Sequence, residues 1–298
     1  MSKYLVTGGA GFIGSTLVDQ LIEKGHQVVV IDNLSGGDIK NINKKAEFFC
    51  VDIRDFDKIS PYFEGVDYVM HLAGLISVQD SLNNPREYND VNLVGMINVL
   101  EAARLARVKK LVFSSSAAVY GNPENFPTKE TEPIDPLSPY ALQKYIGERY
   151  CQLYSEAYGL ATICLRYFNV YGNRMALSGG YGAVLGVFAR QKLNQEPMTI
   201  TGDGEQKRDF VSVLDIARAN ISAAENAFLT KGEAINIGTG QSFTINEIAG
   251  FMSGPVKNIP ARVEPKLSLA DNTKARVNLN WDPKENLADW IKEFIEKK

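Results

Sequence analysis

Histidine is nearly missing from this chain: His26 and His71 are the only two in 298 residues. A histidine-rich metal centre is therefore excluded by count. His26 is expected to cap a helix–strand turn, and His71, inside the apolar run Val69-Met70-His71-Leu72-Ala73, to be structural. Cysteine is scarce as well. Cys50, Cys151 and Cys164 show no metal-ligand spacing, and an odd count argues against a disulfide framework and suits a reducing cytoplasm. Positive charge is not in excess: 32 Lys and Arg against 35 Asp and Glu leave a net charge of −3. Such a chain has no general pull towards nucleic acid or an anionic membrane, so any anionic ligand must be held by a few placed groups. No apolar run reaches the ~20 residues that span a bilayer. Met1-Ser2-Lys3-Tyr4-Leu5-Val6 reads as a strand, not as a signal peptide. The expectation is a cytoplasmic protein with neither a membrane nor a nucleic-acid partner.

Hydrophobic residues make up 45% of the chain and charged residues 22%, enough for a substantial core. Short β-rich runs alternate with helical patterns through the first half. Strands are predicted at Tyr4–Thr7, Gln27–Ile31, Glu47–Val51, Tyr68–Leu72, Lys110–Ser114 and Ala161–Arg166, and helices at Ile13–Lys24, Val91–Ala106 and Pro139–Tyr158. That alternation implies parallel βαβ units, with helices on both faces of one sheet. The fold class expected is therefore α/β, a Rossmann-type doubly wound parallel sheet with a smaller C-terminal α/β lobe. After Arg166 the pattern loosens. A Gly-, Asn- and Ser-rich loop at Gly172–Gly182 precedes a helix at Val184–Leu193 and a strand at Met198–Thr201; helix Val213–Phe228 and strand Ala234–Ile237 follow. The division expected is 1–166 for a dinucleotide-binding domain, with a return near 211–240, and 167–298 for a second lobe.

Thr7-Gly8-Gly9-Ala10-Gly11-Phe12-Ile13-Gly14 follows the first strand and opens the first helix. Gly8, Gly11 and Gly14 allow a tight turn, close approach of backbone to a pyrophosphate, and close helix–strand packing. The helix N-terminus then offers unpaired N–H groups and a positive dipole end to phosphate. The second strand ends on Asp32, whose carboxylate can accept from both adenosine-ribose hydroxyls and repels a 2′-phosphate. NAD is preferred over NADP on that residue.

Tyr140 and Lys144 stand four apart at the start of a predicted helix, with Ser138 as N-cap and Pro139 in the first turn. Spacing of four puts both on one face. A free tyrosine, with a pKa near ~10, is too weakly acidic to act as a base at neutral pH. A neighbouring ammonium is expected to lower that value, letting Tyr140 take a proton from a substrate hydroxyl while Lys144 also bonds the cofactor. Serines 114–116 end the preceding strand, at the carboxyl edge where ligands bind in open α/β sheets.

Taken together, the glycine loop and these residues resemble the short-chain dehydrogenase/reductase superfamily in its extended branch of NAD-dependent epimerases and dehydratases. Leu72-Ala73-Gly74, Val91-Asn92-Leu93-Val94-Gly95 and Arg166-Tyr167-Phe168-Asn169-Val170-Tyr171-Gly172 match the same branch. The resemblance runs from Tyr4 to about Pro283. It selects Ser116 as the hydroxyl that bonds the reacting sugar oxygen. Ser114 and Ser115 then read as strand-end structure, with Ser114 still bordering the cofactor. It places Asn33, Asp52 and Ile53 towards the adenosine, with Phe12, Ile13, Leu72, Ala73, Gly74 and Asn92 along the cofactor and Tyr167 and Val170 at the nicotinamide. On the substrate side it implies Asn169 and Arg208 at the phosphates, Glu264 at the uridine ribose and Ser268 beside the sugar.

The residues after Ser116 bear on the reaction. Dehydratases of this branch carry acidic residues there, whereas Ala117 and Ala118 cannot transfer protons. Oxidation at one carbon, rotation of the ketone and return of hydride to its other face remain. The resemblance thus implies a nucleotide-sugar 4-epimerase acting on UDP-hexoses, N-acetylated or not, through a 4-keto sugar. Two other readings stand: another nucleotide-sugar epimerase or 4-ketoreductase using dTDP- or GDP-sugars, and a cofactor-binding sensor without turnover. The branch's second phosphate arginine would fall at Ala261, one residue before Arg262. A small residue at 268, and the nearby loop Gly179–Val184, imply room for an acetamido group. The resemblance also implies a homodimer, paired through Val91–Ala106 and Pro139–Tyr158.

Overall fold

The computed structural model describes residues 1–177, 184–261 and 265–296. The first half alternates strand and helix. Strands β1 (Lys3–Thr7), β2 (Gln27–Ile31), β3 (Glu47–Phe49), β4 (Tyr68–His71), β5 (Lys110–Ser116) and β6 (Thr162–Tyr167) are joined by α1 (Phe12–Glu23), the short helices α2 (Phe56–Ile59), α3 (Val78–Asn83) and α4 (Pro85–Asn89), then α5 (Gly95–Leu105) and α6 (Pro139–Tyr158). Beyond these come β7 (Asn169–Tyr171), α7 (Val184–Leu193), β8 (Met198–Thr201), β9 (Lys207–Ser212), α8 (Val213–Glu225), β10 (Lys231–Ile237), β11 (Ser242–Thr244), α9 (Ile245–Met252), β12 (Val256–Ile259), α10 (Thr273–Leu279) and α11 (Leu287–Glu296).

Seven strands form one parallel sheet in the order β10-β6-β5-β4-β1-β2-β3. The doubly wound α/β sheet expected from the sequence is present. Its strands are apolar on both faces because both faces are covered. In β1, Tyr4 and Val6 face the layer of α1 and α8, with Leu17, Leu21 and Ile216, while Leu5 faces the opposite layer with Met96, Val99 and Leu100 of α5. The chain winds outward from β1 to β3, then crosses back to β4 on the other side of β1. That reversal opens a crevice at the carboxyl ends of β1 and β4, the usual place for a ligand in such a sheet.

Several element bounds differ from the sequence reading. β3 stops at Phe49, and β5 runs on through Ser116. The predicted helix Val91–Ala106 divides into a π-helical turn, Asp90–Val94, and α5. Gly95 at that junction lies under Ile53, whose Cδ1 would be 2.5 Å from any Cβ there. α8 ends at Glu225, three residues early, and β10 starts at Lys231 and joins the large sheet beside β6. A three-stranded sheet, β11-β9-β7, was not anticipated. It has two strands of three residues, too short to show a period. A separate apolar cluster, including Leu185, Phe188, Phe210, Ile248 and Ile291, forms the core of the C-terminal lobe.

Candidate active site

The glycine loop is shaped by backbone contact. Gly8 adopts φ +73°, and its N–H donates to Ile31 O at 2.8 Å. A Cβ on Gly8 would stand 2.7 Å from Ala73 N, and one on Gly14 would stand 2.1 Å from Gly8 O. Gly11 is the N-cap of α1 and supplies no side chain to its first turn. Helix α1 therefore presents its start, bare of side-chain caps, to a cleft of about 690 Å³.

Asp32, at the end of β2, is buried and fixed from two sides. Its Oδ2 accepts from Ala10 N at 2.9 Å and its Oδ1 from Leu34 N at 2.8 Å. Each oxygen keeps a further lone pair, so the carboxylate is oriented without being used up. Asn33, Ser35, Gly36, Gly37, Asp38 and Asn41 continue this wall of the cleft. Beyond Asn33 the sequence reading missed them, although the Gly36-Gly37 pair just after Asp32 was a usable signal. Asp38 N and Asn41 Nδ2 both donate to Ala10 O, tying the segment to the glycine loop. Next to it, Asp52 accepts from Arg54 and from Asn33 Nδ2 at 2.8 Å. The Arg54 guanidinium holds that carboxyl down to about 2.

Leu72, Ala73 and Gly74 line the cleft after β4. Behind them, His71 Nδ1 lies 2.8 Å from Thr7 Oγ1, which also accepts from Ala73 N. Burial pushes the imidazole down to about 3, so His71 is a neutral structural group. Asn92 is not among the cleft-lining residues. Its Oδ1 accepts from Leu75 N at 2.8 Å, and its Nδ2 donates to Leu75 O and Gln143 Oε1. It fixes the wall from behind, with Gly74 directly in front of it.

Ser114, Ser115, Ser116, Tyr140 and Lys144 meet at the floor of the same cleft, with Tyr167, Phe168 and Val170 beside them. Ser138 caps α6 by accepting from Ala141 N at 3.1 Å, and Pro139 follows in the first turn. Tyr140 and Lys144 are thereby both buried on the face of α6 that meets β5. Tyr140 shares a hydrogen bond with Ser116, whose Oγ also accepts from Ala118 N at 3.1 Å. Lys144 Nζ donates to Ser114 O at 2.7 Å and lies 5.9 Å from the Tyr140 ring centroid. Burial lowers the Lys144 ammonium to about 8.

The Tyr140 hydroxyl departs from expectation. Burial raises its pKa, and the Ser116 hydrogen bond offsets only part of that rise. One of the three ammonium donors goes to Ser114 O, and the Lys144 charge does not reverse the sign. Tyr167, buried with its hydroxyl donating to Asn220 Oδ1 at 2.9 Å, is raised by the same cause.

The residues expected at the sugar nucleotide group separately, on the C-terminal lobe. β7 pairs with β9, and Lys207 bridges to Leu267. Asn169 Nδ2 donates to Asp209 O at 3.0 Å and lies 3.5 Å from Ser268 Oγ, while Ser268 N donates to Lys207 O. Arg208 sits on β9 next to Lys207, one NH1 bond going to Lys207 O. Asp209, its neighbour, points inward and accepts from Thr239, Gly240 and Ala270. Arg262, Glu264 and residues 179–183 lie outside the described residues. Among the described residues, no group of three or more His, Cys, Asp or Glu is placed to hold a metal ion. None of their helices is long and apolar enough to cross a membrane.

The model for the NAD dependent epimerase/dehydratase family matches residues 4–238. The chain belongs to that family. A UDP-glucose 4-epimerase of Mycolicibacterium smegmatis is 40% identical over 308 residues, covering 99% of this chain and 97% of that one. The solved UDP-glucose 4-epimerase of Thermotoga maritima, with UDP-glucose, is 41% identical with a TM-score of 0.92 over 99% of this chain and 97% of that one. The UDP-N-acetylglucosamine 4-epimerase of Methanobrevibacter ruminantium, in complex with UDP-N-acetylmuramic acid, is 39% identical with a TM-score of 0.94 at the same coverage. This chain is accordingly a nucleotide-sugar 4-epimerase that works with NAD. Its own residues fit that cofactor: a glycine cradle that a Cβ would fill, an uncapped helix start and a buried acid at the end of β2.

Proposed function

We propose that the substrates are UDP-hexoses, inverted at C4 through a 4-keto sugar, with UDP-N-acetylglucosamine and UDP-N-acetylgalactosamine accepted alongside UDP-glucose and UDP-galactose. The observation that carries the site assignment is the convergence of Ser116, Tyr140 and Lys144 on one cleft floor. The glycine loop and the start of α1 hold the cofactor's pyrophosphate, and Asp32 its adenosine ribose. Bound NAD supplies the acceptor for the sugar's C4 hydrogen. Tyr140 exchanges the proton of the 4-hydroxyl, Ser116 orients that oxygen, and Lys144 holds the ribose next to it. Burial raises the Tyr140 phenol in the protein alone, and the positive charge of an oxidised nicotinamide held beside Tyr167 and Val170 would favour its phenolate.

Asn169 and Arg208, on neighbouring strands of the small sheet, and Ser268, beside it through the Lys207–Leu267 bridge, are read as the sugar-nucleotide side, with Arg208 on the diphosphate. In this reading residues 1–166, with the return near 211–240, hold NAD, and 167–298 hold the nucleotide sugar. Replacing the acids of related dehydratases, Ala117 and Ala118 form the turn after Ser116 and offer no proton donor for loss of water. The identity of the UDP-N-acetylglucosamine relative and the small Ser268 side chain support the wider sugar range. Incubation with UDP-, dTDP- and GDP-sugars, followed by separation of products, tests it. Conversion confined to dTDP- or GDP-sugars, or stoichiometric use of NADH, would favour the alternative epimerase or ketoreductase.

A homodimer completes the reading. Leu142 and Leu153 on α6, with Val94 and Leu105 at the two ends of α5, are exposed apolar side chains on the two helices expected to pair. Light scattering on the purified protein tests this. Three free thiols support a reducing, cytoplasmic setting.

A further inference from the structure

The three serines that end β5 each engage α6 at a different place. Ser114 O accepts from Lys144 Nζ, Ser115 Oγ donates to Glu148 Oε1 at 2.5 Å, and Ser116 bonds Tyr140. Tyr140, Lys144 and Glu148 are spaced by four and share one face of the helix. Two of these three contacts belong to the reacting groups. The third, through Glu148, has no part in the chemistry described above.

Glu148 is also the anchor of a buried polar row across the sheet. In register, Ser115 of β5 stands beside Arg166 of β6, and Arg166 beside Asn236 of β10. Arg166 donates to both Glu148 oxygens, Nε at 2.8 Å and NH2 at 2.7 Å, and its NH1 donates to Tyr120 OH at 2.8 Å. Tyr120 OH in turn donates to Asn236 Oδ1 at 2.6 Å. The side chains of Arg166 and Glu148 are 5% and 2% exposed. A buried ion pair of this kind gains little stability over apolar residues of similar volume, so stability alone does not account for it. Its bidentate geometry instead fixes direction. It sets the rotation of α6 about its axis and its height over the end of β5, which apolar packing would leave softer.

We propose that Glu148, clamped by Arg166 and Ser115, is a positioning residue that holds Tyr140 and Lys144 in register with Ser116. The proposal rests on the assignment of Tyr140 as the proton-exchanging group. It differs from a packing role in what it predicts for turnover, because a shift of about 1 Å in a reacting group is worth roughly 10²-fold in rate.

The test compares the double variant Glu148→Met/Arg166→Met, the single variant Ser115→Ala and Tyr140→Phe, all with NAD bound. The double variant keeps volume and removes both charges, and it should melt near the wild-type temperature. Its kcat should fall by about 10²-fold while KM and retained NAD change less than about two-fold, in keeping with lost alignment at the reacting atoms. Ser115→Ala, which leaves the ion pair in place, should lower kcat by about ten-fold with KM unchanged. Wild-type kcat in the double variant would overturn the proposal, as would parallel losses of kcat, KM, NAD retention and melting temperature. If the double variant does not fold, unchanged kcat in Ser115→Ala overturns it equally. Substantial activity in Tyr140→Phe would instead remove the assignment on which it rests.

Discussion

The cofactor cleft and the group of residues proposed for the sugar nucleotide are built by different means. The cofactor wall is made of backbone and sheet: Gly8 against Ala73, Gly14 against Gly8, and Asp32 locked by Ala10 and Leu34. The residues proposed for the sugar nucleotide are single side chains from separate segments, with Asn169 and Ser268 brought together by the pairing of β7 with β9 and the bridge from Lys207 to Leu267. A wall of backbone tolerates little change in its glycines and fixes one ligand. A group of single side chains can be altered one residue at a time, and it is there that we propose substrate range is set.

The contrast breaks most visibly at Gly14. Gly14→Ala places a methyl 2.1 Å from a backbone oxygen that has no rotamer to escape into. Helix α1 must then shift away from β1, at a stability cost of roughly 1–3 kcal/mol. The expected outcome is purified protein without retained NAD and without epimerase activity, checked by the nucleotide released on denaturation. A variant that keeps its cofactor would show that the cradle is looser than its geometry.

Among the residues proposed for the sugar nucleotide the effect should be selective. With Ser268 beside the sugar as proposed, Ser268→Tyr should suppress turnover of UDP-N-acetylglucosamine by about 10²-fold more than turnover of UDP-glucose, a differential within the cost of overpacking. Cofactor content should not change. Equal loss on both sugars would show that Ser268 is not the gate.

The smallest effect belongs to His71, behind the cofactor wall. Burial holds its imidazole down to about 3, with the Lys144 ammonium adding to the shift. The unfolded chain therefore binds this proton first, near pH ~6.5. Stability from the neutral ring is complete above that value and falls as pH drops towards about 3, by roughly 2 kcal/mol at pH 5. His71→Asn should make melting temperatures less sensitive between pH 7 and 5. An unchanged difference would mean that the ring takes up its proton without cost.

The same contrast explains what could be read from sequence. Glycine spacing, a strand ending in Asp32 and a Tyr–Lys pair behind a Ser-Pro helix start are local patterns whose consequences are set by backbone geometry. They disclosed the sheet, the crevice and the groups at its floor. Asn92 shows where that reading stops: its motif was visible, but its amide turned out to brace Leu75 and Gln143. The sign of the Tyr140 shift depended on burial and on where Lys144 points, and neither is written in a spacing of four. The row Ser115–Arg166–Asn236 is a matter of lateral register between distant segments, which no local pattern reveals.

The most direct measurement is epimerisation by wild-type protein and Tyr140→Phe, side by side, with bound NAD quantified in both. The account predicts interconversion of the C4 epimers of a UDP-hexose by the wild type without added reductant. It predicts that Tyr140→Phe retains NAD and loses activity by about 10²–10⁴-fold, the usual worth of a positioned acid–base group. A variant that holds NAD and still keeps more than about a tenth of wild-type turnover would contradict the account and put the base elsewhere.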